Sequence, residues 1–268
     1  DPATDQGDRT FNPYTYDNQI DNYGQDHYQL HISQVLTPAI TANAALHYTY
    51  GRGYYEQYEE DASLSTHQID PVMIGDSTIE QSDLIRRRWL DNDFYGGTFS
   101  VHFDNDKRLK ATLGGAWNQY EGDHFGRLRW ARFAGSSEIR DTFYDNSATK
   151  EDFNIYGKLN YQFSSDLSGF LDLQYRQVDY EGSGMDLGGV PLDFSDELHF
   201  FNPKAGLDYQ YNARNSFYAF FGIGNREPTR NDYIDAPNDA FPSHETLYNG
   251  ELGYEYSGQR KQLKVNAY

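Results

Sequence analysis

Between Asp152 and Phe163 every second residue is apolar or small. Phe153, Ile155, Gly157, Leu159, Tyr161 and Phe163 alternate with Asp152, Asn154, Tyr156, Lys158, Asn160 and Gln162. Successive side chains of a strand point to opposite faces, so this run specifies one greasy surface and one wet one. After Ser164-Ser165-Asp166 the pattern resumes, with Leu167, Gly169, Leu171, Leu173 and Tyr175 set against Ser168, Asp172, Gln174 and Arg176. Alternation of this length, reversed by a short polar turn and carrying aromatics at its ends, is what a strand needs to cross a bilayer at a tilt.

Composition narrows the reading. Of 268 residues 37% are hydrophobic, little for a packed globular core, yet 16% are aromatic, including 24 Tyr and 17 Phe. A disordered chain lacks such aromatics, and a helical membrane protein needs about 20 consecutive apolar residues, which do not occur here. A barrel reconciles the two, because only alternate residues must be greasy. The net charge of −19 argues against nucleic acid as a partner, since phosphate binding needs basic patches. With no cysteine, disulfides and thiolate zinc sites are excluded.

Ten strands in five hairpins are predicted: 26–36 with 41–52, 92–103 with 108–121, 152–163 with 167–180, 197–211 with 216–225, and 246–256 with 261–268. Each hairpin reverses through residues that favour tight turns. The other connections, 53–91, 122–151, 181–196 and 226–245, are long. Short turns on one rim and long loops on the other suit an outer-membrane barrel better than a soluble sandwich. We therefore expect an all-β fold, a transmembrane antiparallel β-barrel. Residues 1–268 read as one partial barrel domain, with 1–25 the remnant of an extracellular loop and the short last strand pointing to a larger wall.

The stretch Ala219-Phe220-Phe221-Gly222-Ile223-Gly224-Asn225-Arg226-Glu227-Pro228-Thr229-Arg230-Asn231-Asp232-Tyr233 resembles a barrel strand and rim motif of TonB-dependent outer-membrane receptors. Glu245 to Tyr256 is similar to that family's next strand. Phe201-Asn202-Pro203-Lys204-Ala205-Gly206-Leu207 and Phe153 to Lys158 also look like its strands, particularly in Bacteroidetes-type members. The resemblance implies a 22-stranded barrel, of which this chain holds about ten strands, closed by a plug domain absent from this sequence. It also implies partners: outer-membrane lipid, the plug, the TonB energy-coupling complex and a surface lipoprotein.

On the wet faces we expect Asn154, Lys158, Asp172, Arg176, Lys204 and Asp208 to line the lumen. Phe153, Leu159, Leu171, Tyr175, Leu207 and Tyr209 should face lipid. Candidate ligand contacts are Arg127, Arg129, Trp130 and Arg132, where arginines interleave with aromatics, and Arg226 and Arg230 in the rim motif. Arginine pairs with carboxylates through two bonds and aromatic faces stack flat groups, chemistry suited to an anionic chelate. Structural readings stand beside these: an extended hairpin for 123–133, and an ion-pair network for Arg226, Glu227, Arg230 and Asp232. Arg86-Arg87-Arg88 suits either anionic headgroups or the acidic Glu56, Glu59, Glu60 and Asp61. Asp232, Asp235 and Asp239 form a loose acidic set without the spacing of a calcium loop. No catalytic motif, metal site or cofactor site is expected. The expected function is energised uptake of a scarce large nutrient: an iron chelate, cobalamin or glycan. An outer-surface protein that binds glycans without transport is the alternative, and a secreted glycan-active enzyme a third reading.

Overall fold

The computed structural model describes residues 14–105, 107–236 and 241–268. The strands are β1 (Ile20–Thr37), β2 (Ile40–Ser63), β3 (Val72–Ile74), β4 (Ser77–Ile79), β5 (Gln81–Asp104), β6 (Leu109–Ala131) and β7 (Thr142–Gln162). There follow β8 (Leu167–Asp186), β9 (Val190–Phe201), β10 (Lys204–Asn212), β11 (Asn215–Arg226), β12 (Glu245–Ser257) and β13 (Gln262–Ala267), with one short helix, α1 (Arg230–Ile234). Strands β3 and β4 form a separate small hairpin. The rest make one antiparallel sheet in the order β1-β2-β5-β6-β7-β8-β10-β11-β12-β13, with β9 also paired to β8. The fold is all-β, and among the described residues no helix is long and apolar enough to cross a membrane.

The five short turns fall where the sequence places them, and side chains stabilise several. Asn105 Oδ1 accepts from the backbone N–H of Lys107 and Leu109 at 3.1 and 3.3 Å. Ser164 Oγ accepts from Asp166 and Leu167, and Asn212 Oδ1 from Arg214 and Asn215. These small polar side chains supply the acceptors that a tight reversal leaves missing.

At the other rim the expectation fails. Most of the segments read as long loops continue as strand. The β2–β5 ladder runs up to Ser63↔Gln81, β6–β7 to Arg127↔Thr142, and β8–β9 to Asp186↔Val190. Above Asp152 both faces are polar, so the alternation of hydrophobicity fades although the backbone ladder persists. Gly188 and Gly189 close the β8–β9 hairpin at φ of 80° and 77°, backbone that only glycine adopts without strain. Residues 20–25, expected in a loop, begin β1. The strand expected at 197–211 is interrupted at Asn202-Pro203, because proline lacks the N–H that the ladder needs. Its register against β8 is unshifted, with Phe201 opposite Tyr175 and Lys204 opposite Asp172.

The register divides the sheet into two faces. On one, Leu159, Leu171, Ala205, Phe221 and Gly250 stand side by side across five strands. Beside them run Tyr161, Gly169, Leu207, Ala219 and Leu252. Tyr48, Tyr95, Trp117, Phe153 and Tyr175 bound this band above; Phe163, Tyr209, Phe217 and Tyr254 bound it below. From Phe153 to Phe163 is about 33 Å of strand, or roughly 25 Å of height at a tilt near 40°, the height of a lipid-facing band. Many of its large side chains, Leu113, Leu171, Leu207 and Leu252 among them, are exposed, a patch far too large for a water-facing surface.

A small buried core sits higher. The connection after β2 folds Leu64 and Ile69 onto Leu84 of β5, Leu128 of β6, and Phe143 and Tyr144 of β7. His67, in a single turn of 3-10 helix at Ser65–His67, is buried with them, its ring 4.8 Å from that of Phe143.

Candidate functional site on the polar face

The same register brings Asn154, Lys158, Asp172, Arg176, Lys204 and Asp208 onto the face opposite the apolar band. Asn154 stands across from Arg176, Lys158 and Lys204 flank Asp172, and Asp208 faces Ser168. Arg176 forms an ion pair with Asp152, two ladder steps from its own position.

Above them, the polar face carries a concentration of aromatic and charged side chains. Tyr23 donates to Asn92 Oδ1 at 2.7 Å. Arg88 Nε donates to Tyr144 Oη at 3.2 Å, and its guanidinium lies 5.5 Å from the ring centres of both Tyr55 and Tyr144. Arg230 Nη2 donates to Asn146 Oδ1 at 2.9 Å and lies 3.5 Å from Asp186 Oδ2. It stands within electrostatic reach of Tyr120, His124 and Tyr180. Its Nε is buried and has no hydrogen-bond partner among the described residues.

Arg230 reaches this wall because the chain turns inward after β11. Pro228 ends the pairing, and Thr229 caps α1 in a box with Asp232, whose carboxylate accepts from the Thr229 N–H at 2.6 Å and hydroxyl at 2.8 Å. The Thr229 hydrogen bonds hold the Asp232 carboxyl below its usual range. Glu227 meets Lys150 at 2.7 Å and Arg176 at 3.3 Å. Tyr233 stacks on Phe194 with ring centres 4.5 Å apart, and its hydroxyl donates to Asp196 at 2.7 Å. The ion-pair reading of this motif therefore holds for Glu227 and Arg230, while Arg226 stays at the rim, exposed, 3.2 Å from Glu245.

The five arginines and one tryptophan singled out for ligand contact are not brought together. Arg127 lies on the apolar-band side of the wall, its guanidinium 4.9 Å from the Phe125 ring centre. Arg129 falls where the register slips, with Arg86 opposite Leu128 but Ile85 opposite Trp130, so the simple alternation expected over 125–131 breaks there. Trp130 is exposed, and Arg132 pairs with Asp83 at 2.5 Å. Arg86 and Arg87 take the acidic partners foreseen, Glu59 at 2.9 Å and Glu56 at 2.5 Å; Arg87 lies on the apolar-band side with Arg127, whereas Arg86 and Arg88 share the polar face. Among the described residues no group of three or more His, Asp or Glu is arranged for a metal ion, and Asp239 lies outside the described residues. Sequence reasoning missed Tyr55, Tyr120, His124, Tyr144 and Asn146; their signal was the even or odd position they hold on strands that outlast the apolar alternation.

His67 sits just above this surface. Burial in the apolar cluster pushes its pKa below the ordinary value of 6.5, and Arg86 adds to this, against the opposing Ser63 carbonyl and Glu59. The geometry suits a neutral ring: Nδ1 lies 3.0 Å from the Ser63 carbonyl and Nε2 3.3 Å from Arg86 Nη1.

Comparison with known proteins places this geometry. The family described as TonB dependent receptor-like, beta-barrel, matches residues 1–268. Among solved structures, the copper transporter OprC is similar with a TM-score of 0.69 at 11% identity, covering 91% of this chain and 38% of that one. The closed form of the ferric-catecholate import receptor Fiu from E. coli gives 0.63 at 14% identity, covering 95% and 41%. The siderophore receptor PiuA from Acinetobacter baumannii gives 0.59 at 12%, covering 92% and 40%. At such identities the likeness concerns the fold alone. The chain spans about two fifths of the length of these receptors. No curated protein matches it by sequence.

Proposed function

This chain belongs to the TonB-dependent receptor-like β-barrel family, and on that premise we propose that it forms part of the wall of an outer-membrane receptor for energised uptake of a scarce, large nutrient. The substrate class is an iron chelate, cobalamin or glycan. The observation that carries this reading is the two-faced sheet: a continuous apolar band bounded by aromatics on one side, and a polar face rich in Tyr and Arg on the other. The apolar band faces lipid, and Asn154, Lys158, Asp172, Arg176, Lys204 and Asp208 line the lumen. The Arg88, Arg230, Tyr120, Tyr144 and Tyr180 surface faces incoming solute at the mouth. It offers charge-assisted donors and flat aromatic faces to an anionic or multiply hydroxylated solute.

In the whole receptor this wall encloses a plug domain, and the plug engages the TonB energy-coupling complex. We place the receptor in the bacterial outer membrane, within the Bacteroidetes-type branch, with a surface lipoprotein as a further partner. The similar structures are a copper transporter, a ferric-catecholate import receptor and a siderophore receptor, and that supports uptake rather than enzymatic chemistry. The test is genetic and biochemical together. The full-length receptor should fractionate with outer membrane, and its deletion should abolish growth on one limiting nutrient class in an energy-coupling-dependent manner. Growth lost equally with and without the coupling complex would leave a binding protein and refute transport.

A further inference from the structure

Glu227 is held by residues of a wall to which it does not belong. Lys150 on β7 and Arg176 on β8 are fixed by the ladder on the same polar face, four register positions apart. Lys150 Nζ lies 5.5 Å from the Tyr180 ring centre, and the Arg176 guanidinium 5.8 Å from that of Phe200. Asp152 takes part of the Arg176 charge; among the described residues the ion pair of Lys150 is with Glu227, not with an acidic residue of the strands. Its counter-charge comes from the inward-folded segment after β11, whose Glu227 Oε1 accepts from Lys150 at 2.7 Å and Arg176 at 3.3 Å. A single oxygen shared by two cations over an aromatic floor is how a protein binds an oxyanion. Here the anion is a side chain on a short segment that leaves its own strand to reach it.

We propose that Lys150 and Arg176 form an anion site on the inner wall, suited to a carboxylate or phosphate oxyanion, and that Glu227 occupies it as an internal competitor. An incoming anion displaces Glu227 and thereby loosens residues 227–235. The segment also carries Arg230 and Tyr233, so displacement withdraws Arg230 from Asn146 and Asp186 and uncovers Phe194. The binding of one anionic group is thus coupled to a change in the shape of the mouth. This inference rests on the reading of the polar face as the lumen wall, because a solute must reach the site through water.

The test uses the detergent-purified full receptor and pyrophosphate as the probe. In the unaltered protein, pyrophosphate should accelerate amide exchange across 227–235, and sodium chloride at matched ionic strength should not. Glu227→Gln, isosteric and uncharged, should speed that exchange without any anion. It should also tighten pyrophosphate binding by about tenfold, the scale of one displaced charge-assisted contact. Adding Lys150→Met to that variant should abolish the gain. Glu227→Ala should behave like Glu227→Gln, which separates loss of charge from misfolding. Pyrophosphate binding that is unchanged or weaker in Glu227→Gln, or segment exchange indifferent to pyrophosphate, would overturn the proposal. A cysteine at Ser168, on the same face but remote from the site, reports separately on the premise. Failure of Ser168→Cys to react with a membrane-impermeant maleimide would refute the lumen assignment; reaction without an anion effect would refute the anion site alone.

Discussion

Leu171→Arg places a guanidinium at the centre of the apolar band. Leu171 stands between Leu159 and Ala205 in the ladder. Tyr175 lies four residues above it, and Leu167, which pairs with Tyr209 in the lower girdle, lies four residues below. Each girdle is therefore about 13 Å away along the strand, too far for the side chain to reach headgroups without tilting or thinning the bilayer. A cation at mid-bilayer on the lipid face costs roughly 2–4 kcal/mol, and about 3 kcal/mol is a factor of about 150 in the folded-to-unfolded ratio. The clean control is Ser168→Arg, on the polar face opposite Asp208. Asp172→Arg is a poorer one, since Lys158 and Lys204 flank that position and like charges side by side repel. Heat-modifiable gel mobility of the full receptor in outer-membrane fractions is the assay. Leu171→Arg should lose the compact, heat-sensitive band while Ser168→Arg keeps it. Equal loss in both, or assembly of both, would refute the assignment of lipid and lumen faces.

Four further outcomes follow from the upper part of the wall. Because His67 folds neutral, with its pKa below 6.5, docking of residues 64–70 is fully present above the ordinary value and lost as pH falls through the depressed one. Amide exchange there should rise between pH 7.5 and 5, and His67→Asn, which keeps a donor for the Ser63 carbonyl, should flatten that dependence. A side chain at Gly126 would run into the rings of Phe143 and Tyr144, so Gly126→Val should cost about 1–3 kcal/mol of local packing, read as faster exchange in Leu64–Ile69 with the lower ladders unchanged. Arg132→Ala breaks the pair with Asp83 and should lower rim stability by less than about 1 kcal/mol in denaturant titration. Arg127→Ala, on the outer side of the wall, should leave solute uptake unchanged.

The lower half of this wall was legible because physics writes it twice. Alternation at Phe153 to Phe163 fixes both the strand and its faces, and acceptors such as Asn105, Ser164 and Asn212 mark where the backbone must reverse. Above the upper girdle only the backbone ladder remains. Residues such as Asp91, Asp123 and Ser147 face one side in register, yet nothing in their polarity distinguishes that side from the other. The site was harder still. The Arg-aromatic run at 125–132 was conspicuous in composition, but a single register slip and the two-sidedness of a strand disperse its members. Arg230 was picked out, while its surroundings at Asn146, Asp186 and Tyr180 lie 44 to 84 positions away in sequence wherever a partner is hydrogen-bonded or ion-paired. Only the pairing of β7 with β8, and the inward turn at Pro228, bring them together.

The interruption at Asn202-Pro203 marks a step in the height of the wall. Asn202 Oδ1 accepts the Asn225 backbone N–H at 3.0 Å, closing the ladder just where β11 is about to leave the wall. From that level β9 climbs on to Val190 beside β8, while β11 ends at Arg226. One flank of the parapet is therefore some eleven residues taller than its neighbour, about 35 Å of extended chain. The taller β8–β9 hairpin thus stands beside the segment that turns inward after Arg226, and Tyr233 of that segment rests against it at Phe194 and Asp196.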